Sequence, residues 1–119
     1  MSFRIAEKQA LKSPFLKHRV GAVVMKGSRV LSSGFNSLRY SHITGRPTRH
    51  AEASAIGKLL QERRISDLAG SDIYVTRFTR AGHVSCARPC PHCESLIRSV
   101  GIRRVFYTDF DGSTKEMKL

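Results

Sequence analysis

The sequence contains no apolar run that approaches the ~20 residues of a membrane-spanning helix. Its first eight residues are charged and amphipathic, and they lack the apolar centre and the small-residue cleavage site of a signal peptide. Low-complexity tracts are absent as well. A chain of 119 residues is long enough for one domain with a core and too short for two. These features predict one cytoplasmic domain that spans residues 1–119.

Acidic residues are scarce. The chain has 9 Asp and Glu against 21 Lys and Arg, which gives a net charge of +12. Such an excess favours anionic partners, such as nucleotides, single-stranded nucleic acid or RNA. A lineage with generally basic proteins explains the same balance equally well. The charge therefore bears on binding and says nothing about the type of reaction.

Cysteine is limited to Cys86, Cys90 and Cys93. An odd count with C-x-x-C spacing, in a chain without a secretion signal, favours a metal site over a disulfide framework. A tetrahedral zinc ion with three protein ligands keeps its fourth position open for water. His50 is the predicted third ligand beside Cys90 and Cys93. A fourth protein ligand would close the site, so Cys86 is predicted to be a spare loop or packing thiol.

Glu52 follows His50 by two residues, which completes the pattern H-x-E…P-C-x-x-C of the zinc nucleobase deaminases. In this hypothesis zinc activates a water molecule, and Glu52 carries protons to a ring nitrogen and to the leaving amine. The sequence has neither a glycine-rich phosphate loop nor a nucleophile elbow that would indicate another chemistry.

The C-x-x-C motif has three other interpretations. A structural zinc site needs two further ligands, and a zinc ribbon needs a second C-x-x-C, which the chain lacks. A redox C-x-x-C would have no use for His50 and Glu52. His92 lies between the two cysteines on one turn, where its side chain is expected to diverge from theirs. The remaining histidines (18, 42 and 83) are predicted to be surface or substrate-loop residues.

Hydrophobic periodicity and turn signals predict the element order α-β-β-α-β-α-β-β. The helices are expected at about 2–12, 50–64 and 89–100, and the strands at 18–25, 29–35, 72–78, 103–108 and 113–119. Thr48 is the predicted N-cap of the second helix, and residues 67–71 and 79–88 are predicted loops. Helices between strands imply a parallel pairing in a mixed sheet, whereas the turn at Asp111-Gly112 makes the last pair antiparallel.

In such a fold the two motif helices can begin side by side at one end of the sheet. That arrangement would bring His50 to Cys90 and Cys93. The helix N-terminus is also expected to lower the pKa of a cysteine thiol. The polar loop at 36–49 leads into His50, and its basic and aromatic residues predict a substrate-facing role for part of it. They are Arg39, Tyr40, His42, Arg46 and Arg49.

The chain resembles the cytidine and deoxycytidylate deaminase superfamily, in particular its compact phage and bacterial members. The similarity runs from residues 20–24 through 34–36 and both motifs to the strand that ends near Tyr107. It implies a three-layer α/β/α cytidine-deaminase-like fold with a mixed five-stranded sheet, and a zinc cofactor. It further implies that Asn36 holds the substrate sugar and that the backbone N–H of Ala51 faces the base carbonyl. Family members usually form homo-oligomers.

The substrate stays open among three hypotheses. A histidine as first ligand resembles the deoxycytidylate, tRNA-adenosine and polynucleotide deaminases, whereas an antiparallel final hairpin is more like the free-cytidine enzymes. The first hypothesis is a deaminase of a cytosine nucleotide or nucleoside, with dCMP as the leading candidate. The second is a polynucleotide deaminase that acts on cytosine or adenine in single-stranded DNA or RNA. The third is a non-catalytic zinc-containing module that binds nucleic acid.

Overall fold

The computed structural model describes residues 2–15, 18–37 and 50–119. Its helices are α1 (Ser2–Ala10), α2 (Ala51–Gln61), α3 (Ile65–Leu68) and α4 (Pro91–Ser99). Its strands are β1 (Arg19–Lys26), β2 (Arg29–Phe35), β3 (Asp72–Phe78), β4 (Val84–Ser85), β5 (Arg104–Thr108) and β6 (Thr114–Lys118). The α/β class is confirmed, and each predicted helix and strand is present.

All strands join one mixed sheet in the order β2-β1-β3-β5-β6, and β4 pairs with the end of β3. The pairing of β3 with β5 is parallel, and that of β5 with β6 is antiparallel. Both predictions are thereby confirmed. The sheet has six strands where five were expected, because Val84 and Ser85 pair with the last two residues of β3. A two-residue strand is too short for periodicity to reveal.

Helices cover both faces of this sheet. Alternate residues of a strand point to opposite faces, and β1 is buried on both. Val23 lies in one cluster with Ala6 of α1. Val24 lies in the larger cluster with Ile56 of α2 and Ile97 of α4. The result is the predicted three-layer arrangement, with α2 and α4 on the same side of the sheet.

The second helix differs from its predicted form at both ends. It begins at Ala51 with His50 as N-cap residue, so the prediction of Thr48 as the cap is wrong; Thr48 itself lies outside the described residues. It ends at Gln61, three residues early, because Arg63 adopts a positive φ of 56° that an α-helix does not allow. A short helix, α3, then occupies part of the predicted loop at 67–71 and buries Leu68.

Gly34 sets how closely α2 approaches the sheet. A Cβ atom at this position would lie 2.8 Å from the backbone nitrogen of Ala55 and 2.8 Å from Ser54 Cβ. Only a glycine lets the backbones of β2 and α2 come this near. The first turn of α2, which carries the H-x-E motif, is therefore positioned directly by the sheet.

Among the described residues, no helix has the length and apolar character needed to cross a membrane.

Candidate active site

The two sequence motifs meet at the N-terminal ends of α2 and α4. His50 is the N-cap residue of α2 and Cys90 that of α4, and both have extended backbone conformations. An N-cap side chain often accepts a hydrogen bond from its own helix, but neither of these does. Their side chains instead contact each other, with His50 Nδ1 3.7 Å from Cys90 Sγ. Pro91 begins α4, where its missing N–H costs nothing, and Cys93 follows in the first turn.

His50, Cys90 and Cys93 converge as a metal site. Their ligand atoms all lie within 4.8 Å of one another. His50 Nδ1 is 3.2 Å from Cys93 Sγ and 3.7 Å from Cys90 Sγ. Tetrahedral zinc, with Zn–S near 2.3 Å and Zn–N near 2.0–2.1 Å, places bound nitrogen and sulfur about 3.5 Å apart. The three side chains therefore fit zinc, and a set of three protein ligands leaves one position open.

Glu52 lies beside these ligands and is buried, with 5 % of its surface exposed. Burial raises the pKa of its carboxyl group. Hydrogen bonds from the Glu52 backbone and from the Cys93 thiol act in the opposite direction without cancelling this effect. A carboxyl group whose pKa is raised above its usual range is suited to take up and release a proton near neutral pH.

The environment of Cys93 differs from the sequence-based expectation. Burial raises the pKa of its thiol far above the usual range, and the charges of Glu52 and Cys90 add to the shift. These effects exceed the lowering expected from the helix N-terminus. Without metal the Cys93 side chain is therefore a thiol, so metal binding must displace its proton.

A cavity of about 300 Å³ opens at this site, a size at the lower end of small-molecule pockets. It is bounded by the motif residues, by the start of β1, by the end of β3 and by the segment before α4. The lining residues are His18, Val20, Asn36, His50, Ala51, Glu52, Arg77, Cys86, Ala87, Arg88 and Cys90.

Both predicted substrate-contact residues line this cavity. Ala51 is the first residue of α2, so its backbone N–H has no acceptor within the helix. Asn36 uses its side chain partly for structure. Its Oδ1 accepts a hydrogen bond from Val20 N at 2.9 Å, and its Nδ2 donates to His18 O at 2.6 Å. One N–H of the Asn36 amide remains for another acceptor.

The structure separates other candidates from the metal group. Cys86 is a free thiol that lines the cavity without joining the three ligands. His92 and His83 are exposed and lie outside both the metal group and the cavity lining. His18 is exposed and does line the cavity. The predicted substrate-facing residues at 39–49 lie outside the described residues.

Arg77 and Arg88 are cavity residues that sequence reasoning missed. A signal for Arg77 was available. Ile73 and Val75 are buried residues of β3 at alternate positions, so alternation places Arg77 on the same inward face. Arg88 precedes Cys90 by two residues, and no sequence pattern pointed to it.

Comparison with known proteins agrees with this site. Residues 1–109 match the model of the cytidine and deoxycytidylate deaminase zinc-binding region. An uncharacterised deaminase from the luxG 3′ region of Aliivibrio fischeri is 35% identical over an alignment of 116 positions. The alignment covers 87% of this chain and 67% of the relative. The deoxycytidylate deaminase of Mycobacterium phage D29 is 32% identical over an alignment of 126 positions. The alignment covers 87% of this chain and 88% of the relative.

The fold is shared with solved structures. The dCMP deaminase of cyanophage S-TIM5 in its apo form superposes with a TM-score of 0.68 at 24% identity, over 92% of this chain and 80% of that one. The same enzyme in complex with dCMP and dUMP gives a TM-score of 0.60 at 22% identity, over 92% of this chain and 76% of that one. At this level of identity the comparison establishes the architecture.

A metal site of one histidine and two cysteines, beside a buried carboxyl group on this architecture, defines a zinc-dependent hydrolytic enzyme. The chain belongs to the cytidine and deoxycytidylate deaminase family. It is accordingly a deaminase that uses zinc, and the third hypothesis, a non-catalytic zinc module, is wrong.

Proposed function

We propose that this enzyme deaminates a cytosine nucleotide, with dCMP as the leading substrate, and releases ammonia and the uracil nucleotide. The observation that carries the proposal is the position of the buried Glu52 carboxyl group next to Cys93, a residue of the metal group, at a cavity of about 300 Å³. The names of two relatives support the choice of substrate, since both are deoxycytidylate (dCMP) deaminases of phages.

In the proposed mechanism His50, Cys90 and Cys93 hold the zinc ion. When bound with an open position, zinc supplies a water molecule acidic enough to serve as a nucleophile near neutral pH. Ala51 donates its backbone N–H to the carbonyl oxygen of the base, at the positive end of α2. Asn36 offers its remaining N–H to the sugar.

Glu52 moves the protons in this scheme. Its carboxylate takes a proton from the water as oxygen adds to the ring carbon that bears the amine, and it gives that proton to the adjacent ring nitrogen. Glu52 then takes the remaining proton from the added hydroxyl group and gives it to the amine, so the carbon–nitrogen bond breaks and ammonia leaves as the carbonyl forms. The raised pKa of Glu52 suits both uptake and release.

A substrate panel tests the proposal. Zinc-loaded protein is incubated with dCMP, CMP, deoxycytidine and cytidine, and the products are separated by chromatography. We expect dUMP and ammonia from dCMP, and loss of this activity when a chelator removes zinc. Failure to form a uracil product from any of the four substrates would contradict the proposal.

The second hypothesis, a polynucleotide deaminase, is supported by the net charge of +12 and by the exposed Arg88 at the cavity. Sequencing single-stranded DNA and RNA oligonucleotides after incubation tests it directly. Conversion of cytosine or adenine in a strand, without turnover of any mononucleotide, would favour this alternative over the first.

Residues 1–119 are further proposed to be one domain, and the protein a cytoplasmic homo-oligomer. None of the three cysteines forms a disulfide bond, which suits a reducing compartment. Light scattering coupled to size-exclusion chromatography tests the oligomeric state, and a monomeric mass for the active enzyme would contradict it.

A further inference from the structure

Arg77 interrupts a row of buried apolar side chains. Ile73, Val75 and Arg77 occupy alternate positions of β3, so they share one face of the sheet. Ile73 and Val75 are fully buried in the core under α2 and α4. Arg77 pairs with Val20 across the antiparallel ladder, and both line the cavity. A guanidinium group therefore stands where the apolar core ends and the cavity begins.

No carboxylate in the described residues forms an ion pair with Arg77. Its Nε is buried and has no hydrogen-bond partner among those residues. Buried polar groups in native proteins are nearly always paired. An inward-facing guanidinium group with an unused donor is thus a candidate to bind an anion that enters the cavity.

His18 contributes the polar contact that Arg77 does make. Arg77 Nη2 contacts His18 Nδ1. Because a guanidinium group carries only donors, His18 Nδ1 accepts in this contact, which leaves Nε2 as the ring nitrogen that can donate. His18 is thereby a second hydrogen-bond donor at the cavity, next to Arg77.

Asn36 fixes this pair in place. Its amide group bonds the backbone of both His18 and Val20, which ties the start of β1 to the end of β2. The backbone that carries His18 is therefore held before any ligand arrives, and His18 in turn contacts Arg77, which lowers the entropic cost of binding.

The charge of the cavity selects the class of anion. Its lining carries two guanidinium groups, those of Arg77 and Arg88, against a single carboxyl group, that of Glu52. Arginine binds phosphate oxygens in a bidentate manner that a point charge cannot reproduce. The cavity has a volume of about 300 Å³, which is the scale of a site for one small molecule. A small substrate with a terminal phosphate suits such a site better than a strand with internal phosphates.

We propose that Arg77, oriented by His18, binds the 5′-phosphate of the substrate and makes the enzyme select nucleotides over nucleosides. The inference rests on the proposed function, since it takes a cytosine nucleotide as the substrate. It assigns the specificity to the inward face of β3, away from the metal ligands.

The test compares Arg77→Gln with Arg80→Gln, an equal loss of charge at an exposed residue three positions away that does not line the cavity. We expect Arg77→Gln to lower kcat/KM for dCMP about 10- to 100-fold, mostly through KM. Activity on deoxycytidine should change less than about twofold, since that substrate has no phosphate. Arg77→Lys should restore part of the dCMP activity, and Arg80→Gln should leave both substrates unaffected. Equal losses on dCMP and deoxycytidine, or no loss on either, would overturn the inference.

A binding measurement separates this inference from the proposed function. Calorimetry on zinc-loaded protein compares dUMP with deoxyuridine, neither of which carries an amine to lose. Tighter binding of dUMP that disappears in Arg77→Gln upholds the inference even if no cytosine mononucleotide is turned over. The inference fails, whatever the turnover, if the wild-type protein does not prefer dUMP. It also fails if Arg77→Gln weakens the binding of a single-stranded oligonucleotide but not the binding of dUMP.

Discussion

His50 Nδ1 and Cys93 Sγ lie 3.2 Å apart although 43 residues separate them in the sequence. The contact exists because α2 and α4 begin at the same end of the sheet. Each helix supplies its N-cap residue to the site, and α4 adds Cys93 from its first turn. The metal site thus forms because the sheet holds the N-terminal ends of α2 and α4 next to each other.

Removal of Cys93 tests the ligand set. We expect Cys93→Ala to lower the zinc content from about one ion per chain to near zero, because two ligands do not hold zinc firmly. Cys86→Ala is the matched control, since Cys86 is a cavity thiol outside the metal group. Mass-spectrometric metal analysis of both purified variants provides the measurement. Full zinc occupancy in Cys93→Ala would remove this residue from the ligand set.

Gly34 links the sheet to the site. In Gly34→Ala the new Cβ would lie 2.8 Å from Ala55 N, so α2 must shift. We expect a loss of about 1–3 kcal/mol in the free energy of unfolding, together with weaker zinc binding, because His50 moves with the helix. Urea denaturation and a zinc competition titration measure the two effects. Ser33→Ala, at the neighbouring position, should change neither. Unaltered stability in Gly34→Ala would show that the contact between β2 and α2 is less close.

Asp72 makes stability depend on pH. It is 6 % exposed, and burial alone would raise its pKa, but hydrogen bonds from Arg104 and Arg103 outweigh burial and lower it. Arg104 binds both carboxylate oxygens, at 3.1 and 3.0 Å. A lowered pKa in the folded state adds stability above the unfolded value of about 4, and this contribution disappears as pH falls through the folded pKa.

Asp72→Asn should therefore cost about 1–3 kcal/mol near neutral pH, and the difference from wild type should shrink as pH falls below about 4. Urea denaturation across this pH range is the measurement. Glu116→Gln is the control, since Glu116 is a more exposed carboxylate 3.8 Å from the same Arg104, and it should have little effect. A stability difference for Asp72→Asn that grows towards acid would contradict a stabilising contribution from the lowered pKa of Asp72.

Several parts of the fold and site follow from local sequence alone. The spacing of His50, Glu52, Cys90 and Cys93 indicates a zinc site with a neighbouring carboxyl group. Residues at the start of one helix lie close together, so each motif brings its own side chains to one place. Strands β1, β3 and β5 have apolar runs long enough to recognise. The short helix α3 and the strand β4 fall below the length at which a period can be seen.

Other properties depend on tertiary structure. The direction of the Cys93 pKa shift arises from burial and from Glu52, which lies 41 residues away in sequence. The left-handed conformation of Arg63, which ends α2, is not encoded by a glycine or asparagine at that position. Alternation along β3 puts Arg77 on the inward face, but its place at a cavity depends on the tertiary contacts that bring β1 and the start of α2 next to the end of β3.

In the proposed mechanism Glu52 transfers the protons of a zinc-dependent deamination. The most direct test is the rate of ammonia release from dCMP by wild type and Glu52→Gln at matched zinc content. We expect a rate at least about 100-fold lower in Glu52→Gln, with zinc retained. Thermal stability should be equal or higher, since a buried ionisable group has been replaced by a neutral one. Near-wild-type ammonia release by a zinc-loaded Glu52→Gln enzyme would contradict the claim.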